Sequence, residues 1–325
     1  MKIKGYIENK QPLLFRTFSN ALAHDHLAHA YLIVGEAGTP LKETALYLAK
    51  SILCDHPCPL ADEECLTCRR IDKQEYPDVV VLDGEVGSIK KDQVEEVVSN
   101  FQRTALESKG IMIYIIHQVE NMTVEAVNSL LKFLEEPTPG TYAILTSQNE
   151  AKVLPTIISR CESMRLLLLP REEVVKDALD LGTAPEDADI LANFYNDGQM
   201  IKDEAASEDY QNAKSAFVDE LDALNQNASM ARYVMEKDVT PLLNDKPSAR
   251  FYFDMLSLAF QDIVAAKNGQ PIKLASYANI IKDLAKKLPH VESSLLAIMT
   301  LRSQIELNLN ISLLLGHLVN TITKE

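Results

Sequence analysis

Five short apolar runs alternate with amphipathic stretches through the first half of this chain, and that alternation constrains the fold more than any other feature. The runs are Tyr31–Val34, Val79–Leu82, Ile111–Ile116, Tyr142–Leu145 and Met164–Leu169. Between them lie the helical patterns Leu41–Cys54, Lys90–Thr104 and Thr123–Glu136. Strands separated by helices imply a parallel sheet covered by helices on both faces, an α/β layer. The pattern over Thr123–Glu136 is the clearest: Thr123 suits an N-cap and Glu125 the first turn. Val127, Leu130, Leu131 and Leu134 make one apolar stripe, and Pro137 stops the helix. From about Pro170 the strand signal disappears. Short amphipathic helical patterns occupy residues 171–206. Stronger ones follow at Ala213–Leu224, Met230–Glu236, Ser248–Lys267, Ile272–Lys287 and Glu292–Thr323, with a turn signal at Asn268–Pro271. The expected plan is an α/β domain over residues 1–168, a small helical domain over 169–207 and a larger all-α domain over 208–325.

The segment after the first strand is where a phosphate-binding loop belongs, but its chemistry is missing. Such a loop reads G-x-x-x-x-G-K followed by Ser or Thr. Gly35 matches the first position and Gly38 lies inside the loop, but the second glycine is Pro40, the lysine is Leu41 and the hydroxyl residue is Lys42. Pro40 has no N–H to offer a phosphate, Leu41 no charge, and Lys42 cannot hold Mg²⁺. After the third strand, where NTPases place the acidic residues of the Mg²⁺ site, stand His117 and Gln118. Neutral imidazole is a poor ligand for a hard cation, and His117 also reads simply as a polar cap on a strand. Each lost charge-assisted contact removes roughly 1.5–3 kcal/mol. Neither ATP nor Mg²⁺ is therefore expected as a cofactor, and no hydrolysis.

A later segment keeps its chemistry. Pro155 suits a first helical position, which puts Arg160 of Ser159-Arg160-Cys161 at the end of a short helix, just before a strand. A guanidinium there can bind phosphate oxygens in bidentate fashion, or can cap the helix carbonyls. Cysteines occupy positions 54, 58, 65 and 68, a C-x3-C-x6-C-x2-C arrangement. Four within so short a segment match a closed structural Zn²⁺ site of Cys54, Cys58, Cys65 and Cys68. Asp62, Glu63 and Glu64 could add charge near it. Unligated thiols and a CxxC redox pair are the alternatives, and Cys161 reads as a small buried hydrophobe.

The net charge of -15 disfavours a broad nucleic-acid-binding surface, though not a local patch. No apolar run reaches the ~18 residues of a membrane span, and the N-terminal residues lack an export signal. A cytoplasmic protein is expected, with no membrane partner.

These residues resemble a known family. His29-Ala30-Tyr31-Leu32, the cysteine cluster, Asn128–Pro137 with its Leu-Leu-Lys-Phe-Leu-Glu-Glu-Pro ending, Leu154-Pro155-Thr156-Ile157 and Ser159-Arg160-Cys161 look like the clamp-loader subunits of bacterial DNA polymerase III, the delta-prime type among them. The likeness is strong to about residue 170. It continues more weakly beyond, where Asn308-Leu309-Asn310 resembles the family's C-terminal collar. The resemblance implies an AAA+ module with the zinc-binding segment 54–68 inserted, then a small lid domain and a collar domain that joins a hetero-pentamer. The implied partners are the tau/gamma ATPase and delta subunits, and indirectly the sliding clamp and primer–template DNA. Arg160 would then be an arginine finger acting in trans, framed by Ser159 and Cys161. The holoenzyme context would class the chain with DNA-directed DNA polymerase, a nucleotidyltransferase. The family's second cysteine usually lies nearer the third than Cys58 does to Cys65, so Cys58, His56 or a carboxylate remains open as the fourth ligand. An active tau/gamma-type ATPase is the alternative, against which residues 40–42 and 117–118 speak.

Overall fold

The apolar runs become strands of one sheet. In the computed structural model, which describes residues 3–85, 87–101, 105–307 and 310–323 (without the side chains of Asn100, Phe101 and Glu306), they are β1 (Ala30–Val34), β2 (Val79–Asp83), β3 (Met112–His117), β4 (Thr141–Ser147) and β5 (Glu162–Arg165). Every pairing is parallel and the order is β2-β3-β4-β1-β5. All residues of β1 and β3 are buried, as uninterrupted apolar sequence requires when both faces are covered. The last strand departs from expectation. It ends at Arg165, and Leu167 and Leu168 lie outside it, 49% and 52% exposed. Only β1 pairs with β5, so an apolar sequence at this edge has no second neighbour to keep it in the sheet.

The helices of this unit are α1 (Lys4–Lys10), α2 (Pro12–Ala23), α3 (Leu41–Leu53), α4 (Leu66–Asp72), α5 (Lys91–Phe101), α6 (Val124–Glu135) and α7 (Pro155–Ile158). The Thr123 hydroxyl accepts from the Ala126 N–H at the head of α6, and Val127, Leu130 and Leu134 are buried. Residues 102–104 of the expected Lys90–Thr104 helix lie outside the described residues. α1 and α2 have no counterpart in the sequence reading. Buried Gln11 between them bonds Leu167 in both directions, Nε2 donating to its carbonyl (3.0 Å) and Oε1 accepting from its N–H (2.7 Å).

The chain divides into two compact units, Met1–Pro170 and Arg171–Glu325. The second is helical throughout its described residues. α8 (Arg171–Asp180), α9 (Pro185–Leu191) and α10 (Gly198–Ala205) occupy the segment read as a small domain. They are followed by α11 (Glu208–Gln226), α12 (Ala228–Val234), α13 (Thr240–Leu242), α14 (Lys246–Lys267), α15 (Ala278–Lys287), α16 (Val291–Gln304) and α17 (Ile311–Ile322). A π-turn, Met235–Val239, joins α12 to α13. The expected segment Glu292–Thr323 is two helices, because Asn310 caps a new start by accepting from the Leu313 N–H. Asn308 and Leu309 of the collar-like motif lie outside the described residues.

Candidate functional site

The loop after β1 is folded onto itself. Gly35 N–H donates to the Ser147 carbonyl (3.1 Å), Thr39 N–H to that of Glu36 (3.1 Å) and Leu41 N–H to that of Thr39 (2.8 Å). A phosphate cradle needs such groups pointing outward, whereas these three bond inward. The Thr39 hydroxyl also donates to the Glu36 carbonyl, and a Cβ on Gly35 would meet Thr39 Oγ1 at 2.4 Å. Leu41 is 1% exposed, so the position of the missing lysine is packed into the core. Lys42 reaches away, its Nζ 2.5 Å from Asp83 Oδ2 at the end of β2.

His117 ends β3 opposite Asp83 and is 3% exposed. Its Nδ1 lies 2.7 Å from Thr146 Oγ1 on β4, which also accepts the Gln118 N–H at 3.1 Å. Gln118 adopts a left-handed backbone (φ 54°), and its side-chain carbonyl accepts from Asn121 Nδ2. Both residues therefore serve the turn that follows β3.

Arg160 lies two residues past α7 and just before β5, as its spacing from Pro155 predicts. Its Nη1 donates to the Thr156 carbonyl (2.8 Å) and Ser159 Oγ (3.3 Å), and its Nη2 bonds Glu135 Oε1 at 2.7 Å. The guanidinium thus caps α7 and pairs with the last residue of α6, while its side chain stays 31% exposed. Cys161 packs beside the core under the sheet, and burial pushes its thiol up to about 12. It fills space as a partly buried apolar side chain.

The cysteine segment joins the end of α3 to the start of α4. Cys54 follows α3 directly, and Cys65 is the N-cap of α4, its sulfur accepting the Cys68 N–H. Cys54, Cys65 and Cys68 come together with Asp62, one ligand atom from each lying within 4.8 Å of all the others. The Sγ atoms of Cys54 and Cys65 are 3.9 Å apart. A tetrahedral ion with ~2.3 Å bonds to sulfur sets its thiolates about 3.8 Å apart, so the donor set fits zinc. Cys58 and His56 are exposed and outside this group, whose fourth member is the carboxylate of Asp62. Asp62 Oδ1 accepts the N–H groups of Glu64 (2.9 Å) and Cys65 (3.0 Å), which fixes the carboxylate toward the sulfurs. Buried Lys50 bonds Glu63 (2.6 Å) and Asp72 (2.9 Å), tying α3, the loop and α4 together.

Residues 10–169 match the family model described as DNA polymerase III, delta subunit. The chain is 30% identical over 318 residues to the DNA polymerase III subunit delta' of Bacillus subtilis, covering 95% of each. The chain belongs to the DNA polymerase III delta-prime family. The delta' subunit of Pseudomonas aeruginosa is 38% identical over 137 residues, 41% of this chain and 42% of that one. A gamma subunit-related protein of Thermotoga maritima shares the fold, with a TM-score of 0.50 at 17% identity over 94% of this chain and 97% of that one. The fold class is the expected one, a helix-covered parallel sheet followed by helices. No described helix is long and apolar enough to cross a membrane. In this delta-prime chain, sequence reasoning found the loop, the arginine and three members of the cysteine cluster. It did not single out Asp62 as the fourth. The C-x2-C spacing carried backward by three residues from Cys65 lands on Asp62, and that was the available signal.

Proposed function

We propose that this delta-prime chain neither binds nor splits ATP, and that within the clamp loader it lends Arg160 to the nucleotide site of a neighbouring tau/gamma-type ATPase subunit. The observation that carries the reading is the contrast between two stations of one sheet. The phosphate loop turns the N–H groups of Thr39 and Leu41 onto its own carbonyls and buries Leu41 where a lysine would stand, while Arg160 sits partly exposed just past the end of α7 with Ser159 and Cys161 as its frame. An arginine supplied in trans stabilises charge on the transferring phosphoryl group and can raise turnover by about 10³–10⁵. Ser159 Oγ and the Thr156 carbonyl hold the guanidinium near its place of use, and Cys161 anchors the segment in the core. The chain acts beside tau/gamma and delta subunits in a hetero-pentamer in the cytoplasm, and reaches the sliding clamp and primer–template DNA through that assembly. Zinc held by Cys54, Cys65, Cys68 and Asp62 has a structural role, cross-linking α3 to α4.

The test is ATP turnover by the assembled loader with wild-type chain or Arg160→Ala. A drop of at least a hundredfold with assembly intact is expected. Unchanged turnover, or Mg²⁺-dependent ATP binding by the isolated chain, would overturn the reading.

A further inference from the structure

Independently of the role given to Arg160, a second group of metal-ligating side chains stands at the C-terminal ends of β2 and β3. Asp83, Glu85 and His117 each offer a ligand atom, and these atoms lie within 4.8 Å of one another. Their convergence follows from the main chain. Asp83 and His117 are register partners on adjacent parallel strands, and the Gly84 N–H donates to the His117 carbonyl at 2.9 Å. A Cβ on Gly84 would meet the carbonyl oxygens of Gln118 at 2.7 Å and His117 at 2.8 Å, so only glycine brings the turn this close. Asp83 Oδ1 accepts the Glu85 N–H at 2.9 Å, which folds Glu85 back toward the strand ends.

His117 is the informative member. It is 3% exposed, and its Nδ1 is held by the Thr146 hydroxyl, so the ring has one orientation. Its Nε2 faces Glu85 Oε2 at 3.6 Å, within ion-pair distance, and this contact is what chiefly lowers the Glu85 carboxyl below its ordinary value. A buried imidazole oriented through one nitrogen, with the other directed at two carboxylates, is the arrangement of a metal-binding histidine and its outer-shell partner. We infer that Asp83, Glu85 and His117 form a binding site for a borderline divalent transition ion of the Zn²⁺, Co²⁺ or Ni²⁺ class. The imidazole selects against Mg²⁺ and Ca²⁺, which favour all-oxygen surroundings. Lys42 is the built-in competitor. Its ammonium bonds Asp83 at 2.5 Å and must give way when an ion enters. Ion binding thus exchanges an internal cation for an external one.

The full-length protein, its cysteine cluster loaded with Zn²⁺, is titrated with Co²⁺ and followed by calorimetry and visible absorption. One equivalent is expected to bind with d–d bands and without sulfur-to-metal charge transfer. Glu85→Gln, at an exposed position, should weaken binding at least tenfold, and Thr146→Val, which removes the outer-shell hydroxyl, about tenfold. Lys42→Met should tighten it about fivefold. The inference is overturned if Co²⁺ does not bind, if only thiolate charge-transfer bands appear, or if Glu85→Gln binds as the wild type does.

Discussion

Arg160 is held in the free chain by a carbonyl, a hydroxyl and a carboxylate, and only the carboxylate must let go for the guanidinium to meet a phosphate. Both members of the Arg160–Glu135 pair are partly exposed, 31% and 49%, so the pair is worth no more than about 1 kcal/mol. Releasing it should therefore help modestly. Glu135→Gln is expected to raise turnover of the assembled loader up to about fivefold, and to change nothing when Arg160 is already Ala. A rate fall in the single variant, or a change in the Arg160→Ala background, would show that Glu135 acts by another route. The position of Arg160 was legible because Pro155 fixes the start of α7 and five residues of chain leave little freedom. Its partner was not. Glu135 lies 25 residues away and reaches Arg160 only through the packing of α6 and α7. The Lys42–Asp83 pair, spanning 41 residues, was hidden for the same reason.

Among the elements, the central strands and α6 were readable because burial on both faces, and a capped amphipathic stripe, write themselves into local sequence. β5 was placed too late, since an apolar run at a sheet edge carries no mark of where pairing ends. The cysteine segment shows the same limit. Spacing pointed to a metal site, but which residue completes the cluster, Cys58 or Asp62, is visible only in the geometry of the α3–α4 connection. Cys58 is exposed, while Asp62 is pinned by two backbone N–H groups beside the sulfurs. Purified Cys58→Ser is accordingly expected to retain one zinc per chain. Asp62→Ala should retain it less well, releasing it to chelator at least tenfold faster, and Asp62→Cys should hold it more tightly. Loss of zinc in Cys58→Ser with normal retention in Asp62→Ala would reverse the ligand assignment.

Across the whole molecule, two compact units carry two different sensitivities. All four proposed zinc ligands belong to residues 1–170, whereas a fully buried carboxyl group belongs to residues 171–325. Glu220 on α11 is 0% exposed, and neither of its carboxylate oxygens has a hydrogen-bond partner. Burial raises its pKa from 4.5 to about 9. In the window between those values the folded state keeps a proton that the unfolded state has released. Its contribution is therefore intact below the unfolded value and is lost as pH rises through the folded one, by ~1.4 kcal/mol per pH unit. Asp219, raised by burial and by Asp238 and Asp222, acts in the same sense. With a separate core in each unit, urea unfolding should resolve into two transitions. Chelator at constant pH should shift only the one that reports on residues 1–170. Moving from pH 6 to pH 8 should lower the other by about 2–3 kcal/mol, and Glu220→Gln should flatten that slope. If the slope persists in Glu220→Gln, other groups set the pH response. If chelation and pH move one common transition, the units unfold as a single cooperative body.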